Sequence, residues 1–353
     1  MDDPENPYAA AARHPKGPHD ARPTALQIIR DENLTGALSD LVILITGCSS
    51  GIGVETARAL ASTGATLYLT ARNLTKAREA LGPELVCNPK VHLLVLDLDS
   101  LDSVRSCAST FLSKSDKLNI LITNAGIRHV VWSKTPDGFE RHFGVNHLSH
   151  FLLTQLLLPT LQESSTMAFQ SRVVALSSTA HRNAPVNFDD LNLEKPGAYT
   201  KPTGYAQSKL ANVYMASEIT RRYGQPKAVA HKPGVWGLAV HPGGIRTGLQ
   251  QGDNGGGLRD PMTWYYLRHL WRILNMFKTP EQGAATTVVA AVAKRFEGRG
   301  ALYLEDCGLA VPVRKGWGII DPGYLPGRTD NEADAKKCWE VSCRLVGVKD
   351  DEV

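Results

Sequence analysis

The feature that most constrains this chain is an unbroken apolar run, Leu41-Val-Ile-Leu-Ile45, which passes directly into Thr46-Gly47-Cys48-Ser49-Ser50-Gly51-Ile52-Gly53. A short run without polar alternation fits a strand buried on both faces, as in a parallel sheet. Glycines in the turn that follows let backbone N–H groups approach a phosphate at the start of the next helix. Gly47 suits the tight turn, and Gly51 and Gly53 the close approach, with Ser49, Ser50 and Ile52 as candidate contacts at the same junction. The spacing departs from Gly-x-Gly-x-x-Gly, and plain turn chemistry could use the same three glycines.

Downstream, strand-like and helix-like segments alternate. Strands are expected at Thr66–Thr70, His92–Leu96, Leu118–Thr123, Arg172–Leu176 and Gly237–His241. Helices are expected at Val54–Ser62, Thr75–Leu81, Asp102–Leu112, Phe139–Leu161, Tyr205–Tyr223 and Glu281–Phe296, with a last one over Glu332–Leu345. Repeated β-α units at this spacing define an α/β doubly wound parallel sheet of the Rossmann type. No polar linker divides the chain. Residues 1–23, rich in Pro, Ala, His and charge, read as a flexible tail. The remainder, 24–353, reads as one domain, with an insertion near 250–278 and a C-terminal appendage over 312–353.

Composition excludes several alternatives. The formal charge of +4 is small for 353 residues, and the basic residues are scattered, so no nucleic-acid partner is expected. The six cysteines form no C-x-x-C pair and suggest no metal. No run approaches the ~20 apolar residues needed to span a bilayer, and the N-terminus lacks the pattern of a signal peptide. Free thiols in a cytoplasmic protein are the expectation.

Three further motifs carry chemistry. Asn124-Ala125-Gly126 closes the fourth strand, at the sheet edge where doubly wound folds bind ligands. There Asn124 could fix the main chain or a ribose, and the two small residues admit a cofactor ring. Ser177 and Ser178 end the fifth strand, where a hydroxyl can steady a developing oxyanion. Tyr205 and Lys209 stand four apart on one helical face. An ammonium beside a phenol lowers the phenol pKa and makes a usable general acid or base.

Taken together, the order and spacing of these motifs from about Asp40 to Thr247 resemble the short-chain dehydrogenase/reductase family. The matching positions are Thr46, Gly47, Gly51, Gly53, Asn124, Ala125, Gly126, Asn146, Ser178, Tyr205, Lys209, Pro242 and Gly243. Asn146-His-Leu-Ser-His-Phe-Leu-Leu-Thr154 and Ser177-Ser-Thr-Ala-His181 look like the retinol-dehydrogenase-like group. The long lead and Leu304-Glu-Asp-Cys resemble fungal members, many of which serve secondary metabolism. Thr123 stands where the family often has a first asparagine, and 27 positions separate Ser178 from Tyr205.

The resemblance implies a catalytic set of Ser178, Tyr205, Lys209 and Asn146. Tyr205 would protonate a substrate carbonyl held by Ser178 while a nicotinamide delivers hydride, and Lys209 would also bind the ribose. Asn146 would position a water linking Lys209 to solvent. Further cofactor contacts are implied at Asp97, Leu98, Pro242, Gly243, Ile245 and Thr247. Ala71-Arg72 at the end of the second strand, with no carboxylate and a guanidinium available, implies NADP(H). A homodimer or tetramer would use the helices from Phe139 and Tyr205, the first apolar along Leu148, Leu152, Gln155, Leu156 and Pro159. After Gly252–Gly257, Trp264, Leu267 and Trp271 share one helical face, which suggests a lid over a bulky hydrophobic substrate, bounded elsewhere by Trp132 or Tyr199, with a helix docked on the core or a membrane-contacting face as the alternatives. The alternative is the same fold used for cyclisation, dehydration or binding without redox chemistry.

Overall fold

In the computed structural model, residues 6–128, 130–224, 233–245, 269–314 and 321–350 are described. Helices α1 (Ala9–Arg13) and α2 (Ala25–Asp31) precede the alternation of β1 (Val42–Thr46), α3 (Ile52–Ala61), β2 (Thr66–Ala71), α4 (Leu74–Val86), β3 (Val91–Val95), α5 (Leu101–Leu112) and β4 (Ile120–Thr123). A helical stretch follows as α6 (Arg141–Phe143), a π turn (Gly144–Leu148) and α7 (Ser149–Ser164), then β5 (Ser171–Leu176), α8 (Lys201–Tyr223) and β6 (Val235–His241). The chain continues through α9 (Leu270–Met276), α10 (Pro280–Val292), β7 (Leu302–Glu305), β8 (Gly308–Leu309) and α11 (Glu332–Val346).

The strands form one sheet in the order β3-β2-β1-β4-β5-β6-β7-β8. All neighbours run parallel except β8, which folds back on β7. Strand order reverses between β1 and β4, and that switch point opens a crevice at the strand C-termini. Every residue of β4 is buried, as are Ile43 to Thr46 of β1. Alternate positions feed opposite layers: Ile43, Ile45, Ile120 and Ile122 pack with α2, α3 and α10, whereas Leu44 and Leu121 pack with α5, α7, α8 and α11. Burial on both faces is what the continuous apolar runs required.

Three features differ from the reading of the sequence. The N-terminal stretch is packed from residue 6 onward rather than free. Buried Arg22 donates to the carbonyls of Gly17, Met276 and Phe277, and binds Asp20. Strands β7 and β8 were not anticipated. Their turn places Asp306 and Cys307 in the left-handed region, at φ 48° and 63°, without the glycine or asparagine that signals such a hairpin. The helix expected over Phe139–Leu161 contains the π turn, in which Asn146 is fully buried.

The two helices expected to build a homo-oligomer also pack within the chain. Leu148 and Leu152 of the apolar stripe are fully buried inside the chain, and Gln155 and Leu156 are half-buried. Helix α11 lies against α8, and Trp339 meets Phe151 edge-on at 4.9 Å between ring centres. The chain's own C-terminal helix thus packs on both of the helices expected to build the homo-oligomer. All six cysteines are free thiols. Among the described residues, no helix is long and apolar enough to cross a membrane.

Candidate active site

The turn between β1 and α3 is held by the two residues that follow β4. Asn124 Nδ2 donates to the Thr46 carbonyl at 2.8 Å and to the Gly47 carbonyl at 3.3 Å, so it fixes main chain. The Ala125 N–H donates to Thr46 Oγ1 at 3.0 Å, and that hydroxyl lies 2.9 Å from His150 Nε2. Gly47 has φ +77°, and a Cβ there would meet Ala125 at 2.8 Å. A Cβ on Gly53 would lie 2.3 Å from the Gly47 carbonyl oxygen. These two glycines are needed for the turn's own packing.

Gly51, at φ +62°, caps α3 without any side-chain hydrogen bond. The first N–H groups of a ten-residue helix thus lack a side-chain cap, beside a cavity of about 270 Å³. Its walls include Ser49, Ser50, Gly51, Ile52, Gly126, Tyr205, Lys209 and Pro242. Uncapped helix N–H groups and two serine hydroxyls fit a phosphate, and Lys209 at the other end fits a ribose hydroxyl.

Helix α8 brings Tyr205 and Lys209 to this cavity. A capping box at Thr200 and Thr203, with Pro202 in the first turn, starts the helix one turn earlier than the sequence suggested. Tyr205 is buried, and the Ser178 hydroxyl is near enough to its own hydroxyl to favour the phenolate. Burial holds this phenol above its ordinary pKa, with the Arg128 guanidinium and the Ser178 hydroxyl pulling the other way. Arg128 lies over the Tyr205 ring at 5.6 Å. Lys209 Nζ stands 5.7 Å from the same ring centre and donates to the Leu176 carbonyl at 3.0 Å. Burial pushes the lysine down to about 8. Lowering of the phenol pKa was expected from Lys209, but in this structure it comes from Arg128 and Ser178 and is outweighed by burial.

Asn146 is satisfied by protein. It accepts from the Ile127 N–H at 2.7 Å, and its Nδ2 donates to the Ile127 carbonyl and to Ser208 Oγ, each at 3.0 Å. It pins the segment after Asn-Ala-Gly to α8, and its Oδ1 would stand 3.1 Å from a Cβ at Gly126. The π turn aims it there.

A second cavity, about 220 Å³, opens beyond Ser178. Thr179, Asn183 and Arg128 form one wall, and Ile273, Met276 and Phe277 of α9 and its C-terminal end form another. Asp321 also lines it, as do His241 and Glu305, the last residues of β6 and β7, which are register partners. Burial pushes His241 down to about 3 and pushes the Glu305 carboxyl up, helped by the neighbouring Asp306 charge. Their 3.7 Å approach is therefore a contact between neutral groups rather than an ion pair. His241 Nδ1 has no hydrogen-bond partner, a state that costs ~1–3 kcal/mol in a buried group.

The structure thus gathers Gly47, Ser49, Ser50, Gly51, Ile52, Gly53, Asn124, Ala125, Gly126, Tyr205, Lys209 and Pro242 around one cavity, and Ser178 and Gly243 around the next. It does not bring all the expected contacts there. The Leu98 side chain is in the core and its carbonyl accepts from Ser149 Oγ; Asp97 turns its carboxylate to the Asp99 N–H. Ile245 is buried against Gly283, and Arg72 is exposed just past β2. Thr247, Trp264 and Leu267 lie outside the described residues. Trp271 is 78% exposed, so Ile273, Met276 and Phe277, not Trp271, face the cavity. Trp132 is exposed and bonded to the Asn192 carbonyl, and Tyr199 bonds the Val130 carbonyl. Arg128, His241 and Glu305 were missed; only their positions at or just past strand ends could have marked them.

This fold and site define a short-chain dehydrogenase/reductase, and the chain belongs to that family of oxidoreductases. The family model described as short chain dehydrogenase matches residues 41–189. The short-chain dehydrogenase/reductase prx1 of Penicillium rubens is 44% identical over 97% of this chain and 96% of its own length. Retinol dehydrogenase 12 of Mus musculus is 38% identical over 87% of each chain. An uncharacterized protein from Mycobacterium Paratuberculosis, known from its crystal structure, superposes with a TM-score of 0.61 at 30% identity, covering 88% of this chain and 94% of that one.

Proposed function

We propose that the chain transfers hydride between NADP(H) and a ketone or secondary alcohol on an apolar small molecule. The observation that carries this reading is Tyr205, buried with Ser178 at its hydroxyl, between a phosphate-compatible cavity and a second cavity with an apolar wall. The α3 N-terminus with Ser49 and Ser50 would hold the pyrophosphate, Lys209 the ribose, and Arg72 the 2′-phosphate. When bound, the nicotinamide supplies or accepts the hydride. In the reducing direction Ser178 holds the substrate oxygen, and Tyr205 gives that oxygen its proton. Arg128 and the Ser178 hydroxyl offset the phenolate left behind, while Lys209, buried and cationic below pH about 8, holds the ribose. Asn146 ties the segment at Ile127 to α8, so it acts as a positioning residue. Among the described residues, no acidic side chain pairs with Arg72, which supports the choice of NADP(H) over NAD(H).

The test follows NADPH absorbance while a panel of bicyclic and long-chain ketones is added. Ketone-dependent oxidation is expected, and Tyr205→Phe should lower it by ~10²–10⁴-fold with NADPH binding retained. Conversion of a substrate without any change in NADPH would overturn the redox reading.

A further inference from the structure

We infer that Arg22 is a positioning residue that sets the apolar wall of the substrate cavity, so that the N-terminal segment determines how large a ketone the site accepts. The inference rests on the proposed function, because it takes the cavity at Ser178 as the place where substrate binds.

The wall lacks support of its own. Helix α9 has seven residues, and none of them is buried. A helix this short is not stable alone and ordinarily stays in place by burying an apolar face. No side chain caps its start. Its last carbonyls have no partner within the helix, because a helix cannot satisfy its final turn from inside. Yet Ile273, Met276 and Phe277 line the cavity that Ser178 and Arg128 also line.

Arg22 supplies the missing support. Its Nη1 donates to the Met276 carbonyl at 2.9 Å. Its Nη2 donates to the Phe277 carbonyl at 2.6 Å and reaches the Asn275 carbonyl at 3.3 Å. The Gly17 N–H donates to the same Asn275 carbonyl at 2.8 Å, and the Gly17 carbonyl accepts from Arg22 Nη2 at 3.0 Å. Gly17 makes both contacts at φ +97°, a conformation that glycine adopts without strain. The rigid fork of a guanidinium suits several carbonyls at once. Met276 and Phe277 are therefore gripped by their main chain, and the same two residues offer side chains to the cavity.

Arg22 is itself fixed from outside the cavity. It is buried, and its Nε and its own N–H both donate to Asp20 Oδ1, at 2.8 and 3.0 Å. Its carbonyl accepts from Gln282 Nε2 at 3.0 Å, and Gln282 belongs to the capping box of α10. Two residues further on, Thr24 caps α2, whose Ile28 and Ile29 are fully buried. Both helices pack on the sheet in one apolar layer. Replacing a buried ion pair by apolar contact is often neutral for stability. What this pair fixes is where two cavity residues stand.

The experiment measures kcat and KM of the full chain with NADPH for cyclohexanone and for 1-decalone, in the wild type, Arg22→Met and Arg22→Lys. 1-Decalone fills more of a cavity of about 220 Å³ and leans harder on its wall. In Arg22→Met the KM for 1-decalone should rise by ~tenfold or more with kcat within ~threefold, while KM for cyclohexanone and Kd for NADPH stay within ~twofold. Arg22→Lys, which keeps the cation but not the fork, should recover part of the loss. A role in folding alone would lower the active fraction, and with it kcat for both ketones, and leave KM unmoved. That result overturns the inference, as does an unchanged KM for 1-decalone. Calorimetry of 1-decalol and cyclohexanol with NADPH present reads the wall without turnover. Decalol affinity that falls by ~tenfold in Arg22→Met, with no ketone reduced by the wild type, sinks the redox reading and leaves this inference standing. Ketone reduction with the same preference between the two ketones in wild type and Arg22→Met overturns the inference and leaves the redox reading intact. A wild type that binds neither alcohol also overturns it. Should Arg22→Met fail to fold in a melting experiment, Arg22→Gln takes its place. Its shorter amide cannot span the three carbonyls, so KM for 1-decalone should rise several-fold, and an unchanged value overturns the inference.

Discussion

Lys209 Nζ donates to the Leu176 carbonyl at 3.0 Å while standing 5.7 Å from the centre of the Tyr205 ring. The lysine is thus anchored to the end of β5, the strand that also delivers Ser178, and its charge is held in a buried place. Burial pushes its pKa down to about 8 from an ordinary value of 10.5. The charged form is therefore disfavoured in the folded state, and the penalty is fully present below pH about 8. As pH rises from about 8 to 10.5, the folded chain releases this proton before the unfolded chain does, and the penalty disappears.

Lys209→Met should consequently move activity and stability in opposite directions. Removal of the ammonium should lower kcat by ~10²–10⁴-fold and weaken NADPH binding. It should also raise the stability of the fold by roughly 1–3 kcal/mol near pH 7, an upper-range conversion of the lysine shift. Thermal melts across pH 7 to 10.5 check the sign: the gap between variant and wild type should narrow as pH rises. A variant less stable than wild type throughout would show that the Leu176 contact holds β5 and α8 together.

Arg72 offers a test of cofactor choice. It follows Ala71, which is buried at the end of β2, and its own side chain is exposed. A charge-assisted contact to a 2′-phosphate contributes ~1.5–3 kcal/mol. Arg72→Ala should then weaken NADPH by ~10–100-fold and leave NADH nearly unchanged. Fluorescence titration of both cofactors decides it, and equal affinities in the wild type would refute the preference.

The Thr46 hydroxyl ties the two halves of the crevice together. It accepts from the Ala125 N–H and, in the arrangement that satisfies every group, donates to His150 Nε2, while His150 Nδ1–H donates to the Asn146 carbonyl. Thr46→Val keeps the shape but strands one buried donor and one buried acceptor. Each costs ~1–3 kcal/mol, so a loss of roughly 2–5 kcal/mol in unfolding free energy is expected. Thr46→Ser should recover most of it. Denaturant melts of the three proteins provide the comparison.

The sheet and the Tyr205–Lys209 pair were legible because their signals are local. A run such as Leu41–Ile45 states its own burial, and an i,i+4 pair states its own face. What was not legible depends on parts of the chain distant in sequence. The helix from Phe139 displays its apolar residues whatever packs on them, and nothing local names Trp339 as the neighbour of Phe151. Arg128 influences Tyr205 across 77 positions without belonging to a motif. His241 and Glu305 meet only because β6 and β7 lie side by side, and β7 is preceded and followed by left-handed non-glycine residues that hide it from turn rules.

The last prediction concerns acid. His147, His150, His181 and His241 are buried, and burial pushes them down to about 3, 4, 4 and 3 respectively from 6.5. Protonating His150 would force Thr46 to find a new acceptor for its own proton. His181 already donates through Nδ1 to the Ser178 carbonyl at 2.6 Å, and its Nε2 has no partner to receive a second proton. Above pH 6.5 both folded and unfolded chains hold these imidazoles neutral, so their packing is fully retained. As pH falls below 6.5 the unfolded chain takes up protons that the folded chain refuses, and stability falls. Each histidine contributes a slope of ~1.4 kcal/mol per pH unit in the window between the two pKa values. Glu305 acts with the opposite sign: its raised pKa means the folded chain binds a proton that the unfolded chain lacks above about 4.5, so acidification helps it. The net slope between pH 6.5 and 4.5 is then close to three histidines, ~4 kcal/mol per unit, against a typical total of ~5–15 kcal/mol. Melting temperature should fall steeply from pH 6.5 and the fold should be lost near pH 5. His147→Gln should flatten the slope by about a quarter of the histidine share. A melting temperature that stays level from pH 7 to 5 would mean that these imidazoles accept protons in place, and that the buried networks around Thr46 and Ser178 open more readily than their geometry indicates.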